Sequence, residues 1–368
     1  MPEYWFKYGV TEVSMEVPEE FSQRKIGVKE MEVAEGVWRD LRSFAHEVGR
    51  DAGSGYVAIL YDHVDDDLSL QVLRHVVDSL LDDGKEVTLL VSHWRLPPKI
   101  GTEHARHCLK KHGISIKTIE AWESEKISFN GLSVSREFLD ASARIMITTS
   151  EPHGILGRAS FEEALALGGL FEIRLDGELR EAIAETCEKV FTEVPLQVIT
   201  QLNGRICFGD VDKVRGEVSR TLEEFTIPVD DAEMIIAGGG GYPRDSTFQS
   251  IIHLFGLLRE SVIEEGLIGL VAECGEGLGS REFFGALLGG GRGLDAEAIR
   301  LVKDVSESRR MAITSTLPKA ILRETLDIRG FDTPQELLNY GLRTYGKDAR
   351  LLVLEKPMIR PIRRRTTG

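Results

Sequence analysis

The chain has 368 residues, 42% hydrophobic and 29% charged, a soluble globular profile that excludes a disordered or collagen-like polymer. Its formal net charge of −15 argues against a general binder of nucleic acid or anionic membrane, whose surfaces need excess Lys and Arg. No apolar run approaches the roughly 20 residues that cross a bilayer, and the start Met-Pro-Glu-Tyr lacks the basic-then-apolar pattern of a secretory signal, so the cytoplasm is the expected address.

The segment 8–18 alternates apolar and polar residues as a strand does. A β/α rhythm then begins: a strand over 56–61, a helix over 68–81 with Leu73, Val76, Val77, Leu80 and Leu81 on one face, and Gly84 just past it at a C-cap position. Strands are expected over 87–91, 114–119 and 144–149, with a helix over 103–111. The middle reads as a helix over 177–190 and a strand over 196–200 before a Leu202-Asn203-Gly204 turn. A second rhythm follows: strand 234–237, helix 246–265, strand 267–272, helix 296–305 and strand 311–316. Thr333-Pro334 then opens a helix with an N-cap and a proline at its first position, and a strand over 351–354 follows. The alternation predicts an α/β protein of two α/β domains with mostly parallel sheets and an interdomain cleft, divided at about 200/201 within a window of 190–230. Cys108, Cys187, Cys207 and Cys274 form no CxxC pair, so neither a zinc knuckle nor a disulfide framework is expected. The basic run 356–365 reads as a solvated end.

In open α/β sheets ligands sit beyond the carboxyl ends of strands, and four segments occupy that position. The run 62–67 holds Asp62, Asp65, Asp66 and Asp67; Asp62, nearest the strand end, is the better site candidate, while Asp66 and Asp67 suit a helix N-terminus. Ser92-His93-Trp94-Arg95 places a histidine just beyond an apolar strand, suited to acid/base work or to a hydrogen-bonded loop. Glu151-Pro152-His153-Gly154 repeats the pattern, with Gly154 permitting a close backbone approach. Two glycine loops, 238–245 and 274–280, join strands to helices. Their N–H groups could hold an anion, but the first is neither GxGxxG nor a Walker A loop, so an NAD or ATP site is not indicated.

These pieces in this order resemble the nickel-dependent lactate racemase family over most of the chain. The resemblance rests on Tyr8-Gly9 to Val17-Pro18, on 196–210 ending Cys207-Phe208-Gly209-Asp210, and above all on Ala237-Gly238-Gly239, Gly241-Tyr242-Pro243-Arg244-Asp245, Phe248-Gln249, 269–274 and Glu276-Gly277-Leu278-Gly279. It implies two α/β domains with the site between them, and hydride transfer between a 2-hydroxy acid and a nickel pincer nucleotide. His93 and His153 would alternate as base and acid. Asp62, Asp65, Arg95 and Gln249 would contact substrate, and Gly238, Gly239 and Asp245 would contact cofactor. No metal ligand is assigned.

The chain also departs from the family pattern. The substrate-binding arginine falls on Asp65, a substrate-binding lysine on Ile252, and the lysine that tethers the cofactor on Glu163; the metal-ligand histidine expected near 178–180 is absent. The expectation is therefore an isomerase, a racemase or epimerase of a 2-hydroxy acid or related hydroxylated small molecule, without the family's covalent tether and with Asp65 disfavouring small anions. The other reading is a non-catalytic relative that binds or senses a small molecule.

Overall fold

The computed structural model describes residues 1–27, 32–62, 67–92, 94–96, 98–172, 178–290, 293–356 and 359–363. The chain divides into two compact units, one of residues 30–151 and 159–223, the other of residues 1–29, 152–158 and 224–368. These are not the halves 1–200 and 201–368. The later crossing, at 223/224, falls inside the 190–230 window, but the first 29 residues join the C-terminal part.

In the unit built on 30–223, six strands lie in the order Arg205–Asp210, Gln197–Leu202, Ala143–Thr149, Val57–Asp62, Val87–Ser92, Lys117–Glu120. All neighbours are parallel except the first pair. In chain order this is 6-5-4-1-2-3, the doubly wound arrangement in which the strand order reverses between the first and fourth strands. Val57–Asp62 and Val87–Ser92 are buried at every residue, which is why central parallel strands read as unbroken apolar runs. The helix Asp67–Asp82 buries Leu70, Leu73, Val76, Val77 and Leu80, spaced three and four apart along one face. The antiparallel pair turns at Asn203-Gly204, both at positive φ (48° and 84°), as a two-residue type I′ hairpin requires.

The other unit carries a second six-stranded sheet in the order Ile328–Phe331, Arg310–Thr314, Leu267–Val271, Met234–Gly238, Arg350–Leu354, Ser22–Lys25, parallel throughout. The N-terminal hairpin Glu3–Tyr8/Thr11–Glu16 packs Tyr4, Phe6 and Met15 into this unit's core beside Met234, Ile236 and Val353. Each unit has its own apolar cluster. Two main parallel sheets of alternating β and α elements establish the expected α/β class.

Several elements differ from the sequence expectation. The alternation over 8–18 belongs to the second strand of a hairpin, and its partner Glu3–Tyr8 was not foreseen. The helix expected over 246–265 is broken into Phe248–Ile251, His253–Leu258 and a 3-10 turn, Arg259–Ser261. The Ser261 hydroxyl takes up the Leu258 carbonyl, and Glu265 sits at φ 60°, a left-handed conformation that no helix continues through. The helix Pro98–Lys111 starts five residues earlier than the expected 103, with proline at its first position. No helix among the described residues is long and apolar enough to cross a membrane.

Candidate functional site

Asp62 ends the first strand of the doubly wound sheet, beside the fourth, where the strand order reverses. It is fully buried. Its Oδ2 accepts from the Thr148 hydroxyl at 2.8 Å and lies 3.1 Å from Nη2 of Arg95. The same Nη2 donates to the Thr149 carbonyl at 2.6 Å, and Nη1 to Glu151 Oε1 at 2.8 Å. Arg95 and Glu151 are themselves only 9% and 8% exposed, so one guanidinium is held between two carboxylates in a nearly dry setting. Around them Gln201 donates to Thr149 Oγ1 at 3.0 Å, and the Ser150 and Thr200 hydroxyls pair at 2.9 Å. Burial pushes the Asp62 carboxyl up, and the Arg95 charge and Thr148 hydrogen bond offset this only in part. Ser92 Oγ and Arg95 Nε are buried with no hydrogen-bond partner among the described residues, while the Trp94 indole also helps to hold the Asp62 carboxyl down. The guanidinium carbon lies 5.2 Å from the Trp94 ring centroid. Of the residues expected here from sequence, Asp62 and Arg95 meet; Asp65 and His93 lie outside the described residues.

His153 belongs to the other unit and is 7% exposed. Its Nδ1 accepts from the backbone N–H groups of Ile155 (3.3 Å) and Leu156 (3.2 Å), so the neutral ring carries its proton on Nε2. Its face stacks on His253, with ring centroids 4.1 Å apart and planes 7° from parallel. Gly154 follows: a Cβ there would lie 1.8 Å from the His253 carbonyl oxygen, so only glycine lets this loop press onto the helix His253–Leu258. The close backbone approach expected at Gly154 is thus present, and its partner is a helix of the same unit.

The remaining expected residues in this unit make contacts within it, although Asp245 Oδ1 is buried without a hydrogen-bond partner among the described residues. Gln249 donates from Nε2 to Asp295 Oδ1 at 2.9 Å and accepts from the Ser280 backbone N–H at 2.8 Å, which ties down the loop before the helix Arg281–Leu287. Asp245 is fully buried, and its Oδ2 accepts from the N–H groups of Gly9 (2.9 Å) and Glu273 (3.2 Å), joining the N-terminal hairpin turn to the end of a sheet strand. A Cβ on Gly238 would lie 2.5 Å from the Glu355 carbonyl oxygen, and one on Gly239 2.6 Å from the Ala272 Cβ. Close packing within the protein therefore accounts for both glycines.

Glu163 stands where the resemblance places a tethering lysine. Its carboxylate accepts from both the backbone N–H (2.9 Å) and the hydroxyl (2.8 Å) of Ser160, closing a capping box on the helix Phe161–Leu167. No group of three or more His, Cys, Asp or Glu side chains among the described residues is arranged to hold a metal ion. A buried carboxylate committed to a helix cap does not fit a covalently tethered nickel group.

Glu151 and Thr148 complete the Arg95 cluster; Glu151 opens one of the four expected segments without a role assigned to it, and Thr148 is not among them. The available signal is weak: an acid two residues after the strand Ala143–Thr149, and a hydroxyl one residue before the strand's end.

Neither a protein-family model nor a curated protein sequence matches the chain. In fold it is similar to the solved lactate racemase apoprotein from Thermoanaerobacterium thermosaccharolyticum, with a TM-score of 0.73 and 13% identity, over 99% of this chain and 100% of that one. At that identity the likeness establishes a shared fold.

Proposed function

We propose that the protein is an isomerase of the lactate racemase kind, a racemase or epimerase of a small hydroxyl-bearing molecule. The observation that carries this reading is the buried Asp62–Arg95–Glu151 cluster at the strand-order reversal, in a chain that shares its fold with a lactate racemase. Taking charges out of water costs several kcal/mol per ion before pairing offsets it. A buried carboxyl perturbed by desolvation beside a specific charge partner is a functional-site candidate. Within the cluster, Asp62 offers an acceptor for a substrate hydroxyl, and Arg95 orients both carboxylates.

His93 and His153 are the proposed acid/base residues. For His153 the hydrogen bonds to Nδ1 support a donor role, since the neutral ring then carries its proton on Nε2, the nitrogen that would serve a substrate oxygen. Glu163, committed to the helix cap, does not fit the tethered nickel group.

A second reading, a non-catalytic binder or sensor of the same molecule, is favoured by the Glu163 cap, which replaces a cofactor tether with a helix-stabilising contact. Chiral chromatography separates the two. Single enantiomers of small hydroxy acids, hydroxy amides and polyols are incubated with protein purified from a host that makes the nickel cofactor. The isomerase reading expects the opposite enantiomer to accumulate from at least one compound, and His153→Ala to slow this by about 100-fold or more. Binding of a compound without inversion establishes the second reading instead.

A further inference from the structure

We infer that Asp62 and Glu151 together act as a specificity device: by occupying Arg95 they reject carboxylate ligands and select an uncharged or cationic hydroxyl- or amide-bearing one. This rests on the ligand site proposed above and names its substrate class. Arg95 is a cation at this strand end, and both its terminal nitrogens are already bound, Nη1 to Glu151 and Nη2 to Asp62 and the Thr149 carbonyl. The three side chains carry one positive and two negative formal charges, and all are nearly buried. An anion approaching them meets a compensated guanidinium and a surplus carboxylate where little water screens the repulsion.

The unpartnered atoms point the same way. Among the described residues Arg95 Nε, a donor, and Ser92 Oγ, which is both donor and acceptor, lack partners. A carboxylate group brings acceptors alone, whereas the amide that replaces it brings a donor as well. A hydroxyl or primary amide brings a donor and an acceptor, which is the complement this strand end lacks. Buried polar groups left unpaired are costly, so that complement discriminates between ligands of the same shape.

D-lactate and D-lactamide are near-isosteric and differ in charge, which makes them the probes. Ligand-observed NMR titration measures their affinities for the wild type and for the double variant Asp62→Asn, Glu151→Gln, with no turnover required. The wild type is expected to bind D-lactamide at least tenfold tighter than D-lactate. The double variant, which frees the Arg95 charge, is expected to bind D-lactate at least tenfold tighter than the wild type does. Circular dichroism checks folding, and Glu151→Gln alone, which leaves Asp62 in place, is expected to move lactate affinity in the same direction if the double variant does not fold. Equal affinities of the wild type for the two probes, no binding of either, or no gain for lactate in a folded variant overturns the inference. Racemisation of D-lactate by the wild type would overturn it while upholding the isomerase reading; a failure of turnover with the affinity pattern intact would do the reverse.

Discussion

Asp245 joins two segments of its unit through one carboxylate oxygen. Its Oδ2 accepts two backbone N–H groups, from Gly9 and Glu273, inside a fully buried setting. Removing the acceptor by Asp245→Ala leaves two buried donors unpaired and is expected to cost about 2–4 kcal/mol of stability, read from urea unfolding. Asp245→Asn keeps an acceptor without the charge. Burial raises the folded carboxyl above its ordinary 3.8, against the lowering by its backbone hydrogen bonds. The unfolded chain therefore gives up its proton first. The wild type loses stability as the pH rises from 3.8 through the raised folded value, and levels off above it. Relative to the wild type, Asp245→Asn should gain stability across that window and keep the gain at neutral pH. A difference independent of pH would contradict the burial argument. Glu163 teaches a related lesson. The Ser160-x-x-Glu163 spacing is itself a capping-box signature, so its role was legible in the sequence without any reference to a missing lysine. The clamp on Arg95 was not legible, because Asp62, Arg95 and Glu151 lie 33 and 56 residues apart and meet only through the strand order.

At the scale of elements, the central strands were readable because burial on both faces demands unbroken apolar residues, as in Val57–Asp62 and Met234–Gly238. The strand Ser22–Lys25 was not: Ser-Gln-Arg-Lys has no apolar face, and its place is set by pairing with Arg350–Leu354 at the sheet edge. The hairpin Lys126–Phe129/Leu132–Ser135 was also missed, although Asn130-Gly131 between them, at φ 48° and 80°, is a strong hairpin signal. The helix His253–Leu258 and the loop after His153 form a joint whose tolerance can be measured. Gly154→Ala places a methyl group 1.8 Å from the His253 carbonyl oxygen and 2.6 Å from the Leu257 nitrogen, both backbone atoms that cannot rotate away. The loop must lift off the helix, which disturbs the stack of His153 on His253. The expected cost is about 1–3 kcal/mol in thermal unfolding, the range for overpacking. A variant as stable as the wild type would show that the approach is looser than described.

Across the whole molecule, two units with separate cores each carry a parallel sheet, and the chain passes between them at 29/30, 151/152, 158/159 and 223/224. A sequence read in order finds the β/α alternation but not this interleaving, because the N-terminal hairpin and edge strand find their partners more than two hundred residues later. The same scaffold as a lactate racemase is present over nearly the full length, yet the tether position caps a helix and the cation at the strand end is neutralised. The chain thus shares its fold with a lactate racemase, and the proposal is that its site is turned away from carboxylates. A competition assay tests this claim most directly: D-lactamide and D-lactate are mixed in equal amounts with protein from a host that makes the nickel cofactor, and both enantiomer pairs are followed by chiral chromatography. The account expects L-lactamide to accumulate while D-lactate is unchanged; L-lactate forming as fast as L-lactamide, or neither product appearing, would contradict it.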